Sequence, residues 1–178
     1  IYLSTRVSNI ESKTNGLKVD FENKATSSFS ELFDIVLISV GRKPNIENLC
    51  LDKIGVKINK KGFIHVNNKR QTSVPTIYGI GDVTGDPMLA HKATHEGKVA
   101  AEVISGDKSS AFEPKAIPAV VFTDPEIAWA GSTETDLKNA KIPFIKSEFP
   151  WKASGRAITM DQIEGKTKIL ANPKTKKI

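Results

Sequence analysis

The chain has 178 residues, of which 39% are hydrophobic, so it is long enough to bury a core of ordinary domain size. Its net charge is +6, and its 26 basic residues are 22 Lys and only 4 Arg. They are scattered and form no basic cluster with interleaved aromatic residues, which argues against a nucleic-acid-binding protein. No apolar run approaches the roughly 20 residues of a membrane span, and a single cysteine, Cys50, excludes an internal disulfide and favours a reducing, cytoplasmic compartment.

The first segment, residues 1–42, is predicted to hold a hairpin and one buried strand. Residues 1–10 have the pattern of a strand that starts in mid-fold, and Lys13-Thr14-Asn15-Gly16 is a good hairpin turn. The apolar run Phe33 to Val40 predicts a central strand of a parallel sheet. Arg42 follows at the carboxyl end of this run. Its guanidinium would either bind a phosphate or carboxylate of a ligand or form only a surface salt bridge.

The stretch from Thr76 to Gly106 carries the strongest functional pattern. Residues 76–80 predict a short buried strand, and Asp82 follows at its end, where open α/β folds hold ligands. A long helix is predicted from Leu89 to the stop signal at Ser105 and Gly106. Small or apolar residues recur at helical spacing and predict its buried face, namely Ala90, Ala93, Gly97, Ala101 and Ile104.

Asp82 and the start of this helix together suggest a ligand clamp. A helix N-terminus presents free N–H groups and partial positive charge, and Asp82 accepts hydrogen bonds from hydroxyls. The pair would suit a ligand with sugar-like hydroxyls and an electron-rich ring. The alternative is that Asp82 serves only the turn or caps the helix. Lys92 and Glu96 are predicted to be an ordinary pair on the helix surface.

Four other side chains were candidates for chemistry. His65 alternates with apolar neighbours and is predicted to be an exposed strand residue, and nothing in the sequence activates the Cys50 thiol. His91 and His95 lie four residues apart on the helix, a spacing that could bind a metal, but no third ligand is evident.

Residues 116–178 predict an α+β unit with an antiparallel sheet. Strands are expected at 117–122, 127–131, 143–149 and 165–171, and Ser132 or Thr133 should cap a helix through Ala140. Trp151 and Arg156 are either interface anchors or residues packed within the chain.

These segments resemble one known family. Thr76-Ile77-Tyr78-Gly79-Ile80-Gly81-Asp82 is similar to the second FAD-binding motif of the pyridine nucleotide–disulfide oxidoreductases, with Gly79 where the family more often has Ala. Met88-Leu89-Ala90-His91-Lys92-Ala93, followed by His95-Glu96-Gly97, resembles the dihydrolipoamide dehydrogenases in particular. Gly41-Arg42-Lys43-Pro44-Asn45 resembles the exit from the NAD domain, and Thr123-Asp124-Pro125-Glu126 and Phe149 to Ala157 resemble the dimerisation domain.

The resemblance implies a fold of class α/β plus α+β. Residues 1–42 would be the C-terminal end of a Rossmann-like NAD domain, 43–115 the returning segment of the FAD domain, and 116–178 the first half of an α+β dimerisation domain. It also implies two sets of cofactor contacts. The FAD set is Asp82, Met88, Leu89, Ala90 and His91. The NAD set is Val7, Ser39, Val40, Gly41 and Arg42.

The implied activity is FAD-dependent oxidation of protein-bound dihydrolipoamide, with NAD as electron acceptor. The implied partners are a second copy in a homodimer and the lipoyl domains of 2-oxoacid dehydrogenase or glycine cleavage complexes. No catalytic residue is assigned, because the sequence holds no close cysteine pair and no C-terminal His-Glu dyad. The chain is therefore expected to be a fragment, cut at both ends and inactive alone. Two alternatives stay open: another flavin disulfide reductase of the glutathione or mercuric reductase type, and a non-catalytic dimerising or binding module.

Overall fold

A computed structural model describes residues 1–23 and 27–178. The described chain separates into two units, Ile1–Lys43 and Pro44–Ile178. Within the described residues, every helix is too short or too polar to cross a lipid bilayer.

The first unit is built on a three-stranded antiparallel sheet in the order β1-β2-β3. Its strands are β1 (Thr5–Lys13), β2 (Gly16–Asn23) and β3 (Phe29–Phe33). Lys13 pairs with Gly16, so the predicted hairpin turn is confirmed. Val19 is buried in β2, and the rings of Phe21 and Phe29 stack with centroids 4.8 Å apart. Aromatic side chains thus supply the apolar contacts of a sheet with little other core.

The predicted parallel strand at Phe33 to Val40 is wrong. Phe33 is the last residue of β3, and residues 34–40 have no strand structure. Ile35, Leu37 and Val40 expose 84%, 89% and 93% of their surface. A parallel strand needs hydrogen-bonded neighbours, and among the described residues this run pairs with no strand.

The second unit combines one long helix with short strands and turns. Its helices are α1 (Ala90–Ile104), α2 (Glu134–Asn139) and α3 (Gly155–Thr159). Its strands form two antiparallel pairs, β4 (Ala119–Val121) with β5 (Ile127–Trp129) and β6 (Ile145–Pro150) with β7 (Lys166–Ala171). Two 3₁₀ turns cover Gly81–Thr84 and Trp151–Ala153. The antiparallel pairing predicted for residues 116–178 is therefore confirmed, with shorter strands than expected.

Residues 55–80 are held by isolated bridges rather than full strands. Ile58 bridges Ile64, and Gln71 bridges Tyr78. The predicted strand at 76–80 is therefore wrong. This segment has the single bridge at Tyr78 and backbone hydrogen bonds such as that from the Gly79 N–H to the Arg70 carbonyl (2.9 Å). His65 is exposed, as predicted, but it does not lie in a strand. The apolar core of this unit is small and consists of Val56, Phe63, Ile64, Val99 and Ala100.

The limits of α1 match the prediction, but its buried face does not. Leu89 is the N-cap and Ser105 the C-cap. Of the predicted face, Ala93 and Gly97 are half-buried, whereas the other members, Ala90, Ala101 and Ile104, are exposed. The buried residues are instead Lys92, Glu96, Val99 and Ala100. The buried face of α1 therefore differs from the predicted one and includes the charged pair of Lys92 and Glu96.

The N-cap of α2 is Thr133, one of the two predicted candidates. The Thr133 hydroxyl accepts from the Asp136 N–H at 3.2 Å, and the Asp136 carboxylate accepts from the Thr133 N–H at 2.8 Å. This reciprocal pair is a capping box. It fixes the start of a helix that buries none of its residues.

Candidate functional site

The turn that carries Asp82 lies against the first half of α1. Gly81 begins the 3₁₀ turn with φ +77°, a conformation that suits glycine, and a Cβ there would lie 3.3 Å from Cβ of Ala93. Asp82 follows in the first turn and is half-buried. The turn and α1 contact each other, so the structure brings the predicted acceptor and the predicted helix together.

The N-terminus of α1 has no side-chain cap. Leu89 occupies the N-cap position with extended backbone, and its side chain cannot accept a hydrogen bond. The Leu89 carbonyl accepts from Ala93 N–H at 3.1 Å, so the helical bonds begin there. The N–H groups of the first turn have no partner inside the helix. The start of α1 is thus a source of hydrogen-bond donors and partial positive charge.

A buried ionic cluster underlies the Gly81 turn. Glu96 is 1% exposed, and its Oε2 accepts the Gly81 N–H at 2.6 Å. Its Oε1 accepts from Arg70 Nη1 at 2.9 Å and forms an ion pair with Lys92 Nζ at 3.2 Å. Each carboxylate oxygen therefore has a close donor. This satisfies the rule that a buried charge must be paired and hydrogen-bonded.

Lys92 holds the other side of the same glycine. Its Nζ lies 3.2 Å from the Gly81 carbonyl and 3.4 Å from Thr84 Oγ1. The Thr84 hydroxyl also donates to the Gly81 carbonyl, at 2.8 Å. The Lys92 side chain is only 4% exposed. Two residues one turn apart in α1 thus hold both backbone polar groups of Gly81.

Arg70 completes the cluster from a distant part of the chain. Its Nη2 donates to the Asn67 carbonyl at 2.8 Å, and its Cζ lies 4.7 Å from the ring centroid of Phe112. Its Nε is buried without a hydrogen-bond partner in the described structure. Arg70 and Lys92 carry two positive charges against the one negative charge of Glu96, so the cluster has a net charge of +1.

The predicted surface pair of Lys92 and Glu96 is therefore wrong, and Arg70 was missed altogether. A Lys–Glu pair at i, i+4 is typical of solvated helix faces, and the third partner lies 26 residues away from Glu96. One signal was present in the sequence. Ala93 and Gly97 follow the two charged residues directly, and small side chains let a neighbouring backbone come close to that side of the helix.

The remaining predicted FAD contacts lie in the chain entering α1. Met88 and Leu89 are half-buried, whereas Ala90 and His91 are exposed. The Nε2 atom of His91 lies 2.8 Å from the Pro118 carbonyl oxygen. The imidazole thereby links the helix start to the segment before β4. The predicted contact of these residues with FAD stays a prediction.

The predicted NAD residues all belong to the first unit. Val7 lies in β1 beside a register shift between Val7 and Asn9, and it is 48% exposed. The others are exposed and lie at the end of the run that forms no strand or directly after it: Ser39, Val40, Gly41 and Arg42. Their assignment to NAD also stays a prediction.

The other candidate residues have plain structural surroundings. His95 packs edge-on against Phe112 at 5.0 Å, and Cys50 is exposed and free. In residues 1–23 and 27–178, no group of three or more His, Cys, Asp or Glu could hold a metal ion.

Trp151, one of the two candidate interface anchors, packs within the chain, because its Nε1 donates to Thr167 Oγ1 at 3.0 Å and its ring lies against Gly165. Arg156 is exposed in α3.

Comparison with known proteins gives two family matches. Residues 1–97 match the sequence model described as pyridine nucleotide-disulphide oxidoreductase, and residues 117–178 match that of the dimerisation domain of the same name. The second match covers the region with two antiparallel strand pairs.

Similar curated proteins include dihydrolipoyl dehydrogenases. That of Buchnera aphidicola from Acyrthosiphon pisum is 50% identical over 178 residues, which are 100% of this chain and 37% of the relative. That of Vibrio cholerae is 44% identical with the same coverage. The chain therefore spans 37% of the length of these relatives.

Solved structures share the fold. The Cu(II) complex of the HOCl-induced flavoprotein disulfide reductase RclA from Escherichia coli superposes with a TM-score of 0.82 at 24% identity, over 95% of this chain and 38% of RclA. LpdA from Mycobacterium tuberculosis gives a TM-score of 0.82 at 24% identity, over 96% of this chain and 36% of LpdA.

Proposed function

This chain belongs to the pyridine nucleotide-disulphide oxidoreductase family, and from that membership we propose that it forms part of a dihydrolipoyl dehydrogenase. The reaction is the FAD-dependent oxidation of protein-bound dihydrolipoamide with NAD as electron acceptor. One observation carries the proposal. The half-buried Asp82 follows a glycine held at both backbone polar groups, against a helix whose N-terminus has no side-chain cap.

The residues at this site fit FAD in their donor and acceptor chemistry. The Asp82 carboxylate accepts hydrogen bonds from hydroxyls such as those of a ribitol chain. The first N–H groups of α1, near Leu89 and Ala90, donate to acceptor atoms, and the helix dipole favours negative charge beside them. When bound, FAD would supply the two-electron acceptor chemistry of the reaction.

The NAD side is proposed on residues of the first unit. Arg42 would attract an anionic group, and Gly41, at φ +118°, permits close approach of a ligand to the backbone. Val7 would offer an apolar contact to the adenine.

The proposed assembly rests on the same family membership, and the proposed location rests on the cysteine content. The dimerisation-domain match over residues 117–178 supports a homodimer. Lipoyl domains of 2-oxoacid dehydrogenase or glycine cleavage complexes would be the substrate-bearing partners, and the single cysteine favours the cytoplasm. The cysteine pair and the proton-transferring dyad of the reaction have no counterpart among these 178 residues, so no catalytic residue is assigned here.

The test is made on the protein expressed from its natural coding sequence. FAD content after gel filtration and NAD reduction by dihydrolipoamide are measured for the wild type, for Asp82→Ala and for Asp86→Ala. Asp86 is the matched control, an exposed aspartate in the same loop. We expect the wild type to hold FAD and be active, Asp82→Ala to lose FAD and Asp86→Ala to keep it. A wild type without FAD, or full FAD occupancy in Asp82→Ala, would refute the assignment. Activity with glutathione disulfide but not dihydrolipoamide would indicate the other reductase class.

A further inference from the structure

We infer that Lys92 and Glu96 are positioning residues for the turn Gly81–Thr84, which carries Asp82, a role that rests on the function proposed above. They hold the two peptides that flank the Cα of Gly81, and so they fix the backbone from which Asp82 extends. Neither residue is assigned to contact a cofactor.

Glu96 fixes the first of these peptides. Its carboxylate accepts the Gly81 N–H at 2.6 Å, and this N–H belongs to the peptide that joins Ile80 to Gly81. A hydrogen bond from a backbone N–H to a buried carboxylate is among the stronger kinds in proteins. Arg70 holds the opposite oxygen at 2.9 Å, so the carboxylate cannot turn freely.

Lys92 fixes the second peptide, which carries Asp82. Its ammonium lies 3.2 Å from the Gly81 carbonyl oxygen, and that carbonyl belongs to the peptide between Gly81 and Asp82. A trans peptide is planar, with its carbonyl and N–H on opposite sides. Because Lys92 draws the carbonyl towards the cluster, the Asp82 N–H points away from the cluster.

The charge of the cluster supports a role beyond packing. Burying charges is costly, and apolar side chains of similar volume would often stabilise a fold better. Here three charged side chains expose only 1%, 4% and 12% of their surfaces, and their net charge is +1. A buried positive charge beside the turn Gly81–Thr84 would favour reduced flavin bound at this turn, because the flavin gains negative charge on reduction.

The test compares matched variants of the FAD-loaded protein. Lys92→Met leaves the Arg70–Glu96 pair intact, and the Gly81 carbonyl still accepts from Thr84, so the variant should fold. Lys98→Met is the control, because Lys98 forms an exposed ion pair with Glu102 at the same spacing in the same helix. The dissociation constant of FAD and the midpoint potential of the bound flavin are measured in both variants. The dissociation constant is also measured, by titration with excess FAD, for Asp82→Ala alone and for Lys92→Met in the Asp82→Ala background, because a weakly held cofactor that is lost on gel filtration can still be titrated.

We expect Lys92→Met to weaken FAD binding about tenfold, as for the loss of one charge-assisted hydrogen bond, and to lower the midpoint potential. Lys98→Met should change neither quantity. The loss should shrink in the Asp82→Ala background, because Lys92 acts through Asp82. Unchanged affinity and potential in Lys92→Met would overturn the inference. So would an equal loss in both backgrounds with an unmoved potential, which marks a role in stability alone. In either case, a wild type that keeps FAD through gel filtration and an Asp82→Ala variant that releases it would leave the proposed function standing.

Discussion

Glu96→Gln should destabilise the Pro44–Ile178 unit far more than any change to an exposed charge in α1. The substitution removes the only negative charge of the cluster and leaves Arg70 and Lys92 facing each other, 12% and 4% exposed. Removing one partner of a buried ion pair costs about 3–5 kcal/mol. Because the Gln amide oxygen can still accept from the Gly81 N–H or from Arg70, we expect a loss of about 3 kcal/mol, at the lower end of that range.

Two comparison variants separate buried charge from lost contacts. Glu102→Gln removes a carboxylate from the exposed pair with Lys98 and should cost about 0.5 kcal/mol or less. Lys92→Met removes the excess cation and leaves a neutral Arg70–Glu96 pair, so it should lower the free energy of unfolding by about 1 kcal/mol. The order of effects is therefore Glu96→Gln, then Lys92→Met, then Glu102→Gln.

The assay is urea unfolding followed by far-ultraviolet circular dichroism. Among the described residues α1 is the longest helix, with 15 residues, so the signal reports the unit that holds the cluster. The free energy of unfolding is obtained by linear extrapolation. A loss in Glu96→Gln as small as that in Glu102→Gln would refute the reasoning, since it would mean that the two cations are relieved by solvent.

Two further predictions concern other parts of the chain. Hydrogen bonds from the Ser30 hydroxyl and the Asn9 amide lower the pKa of Asp20 from 3.8 to about 2. A depressed folded-state pKa gives stability that is present above pH 3.8 and is lost as the pH falls towards 2. Asp20→Asn should therefore reduce the pH dependence of the unfolding of the first unit's sheet in acid, measured by circular dichroism. Asp34→Asn, an exposed control, should leave that pH dependence unchanged. Identical acid transitions in the parent and in Asp20→Asn would contradict this. Thr133→Ala removes the capping box of α2 and should cost about 1 kcal/mol in urea unfolding, while Thr94→Ala, whose hydroxyl only bonds back to Ala90, should stay within about 0.5 kcal/mol. Equal losses in the two threonine variants would count against a capping role.

Local signals in the sequence predicted the parts of the fold that depend on local interactions. Asn15-Gly16 marked the β1–β2 hairpin, and the Ser105-Gly106 stop marked the end of α1. Thr133 and Asp136 formed the expected cap of α2. Each of these features depends on residues within four positions of each other, so their chemistry can be read along the chain.

The errors arose where a partner distant in sequence decides the outcome. Lys92 and Glu96 look solvated in sequence, but Arg70 and the Gly81 backbone make their burial possible. Burial of Ala90 and Ala101 was inferred from their helical spacing and small size, and small residues at that spacing fit an exposed face just as well. The apolar run after Phe33 has the composition of a parallel strand, but composition does not supply the neighbouring strands.

The exposed apolar run after Phe33 bears on the tendency of these 178 residues to self-associate. Residues 35–40 lie in no strand of the described structure, and their bulky aliphatic side chains face water, with Ile38 71% and Leu37 89% exposed. Such segments template intermolecular β-pairing and are the surfaces that chaperones cover. Charged residues flank the run, Asp34 before it and Arg42 after it, and act as gatekeepers that slow self-association. These 178 residues are therefore expected to self-associate unless further polypeptide or a partner covers the run.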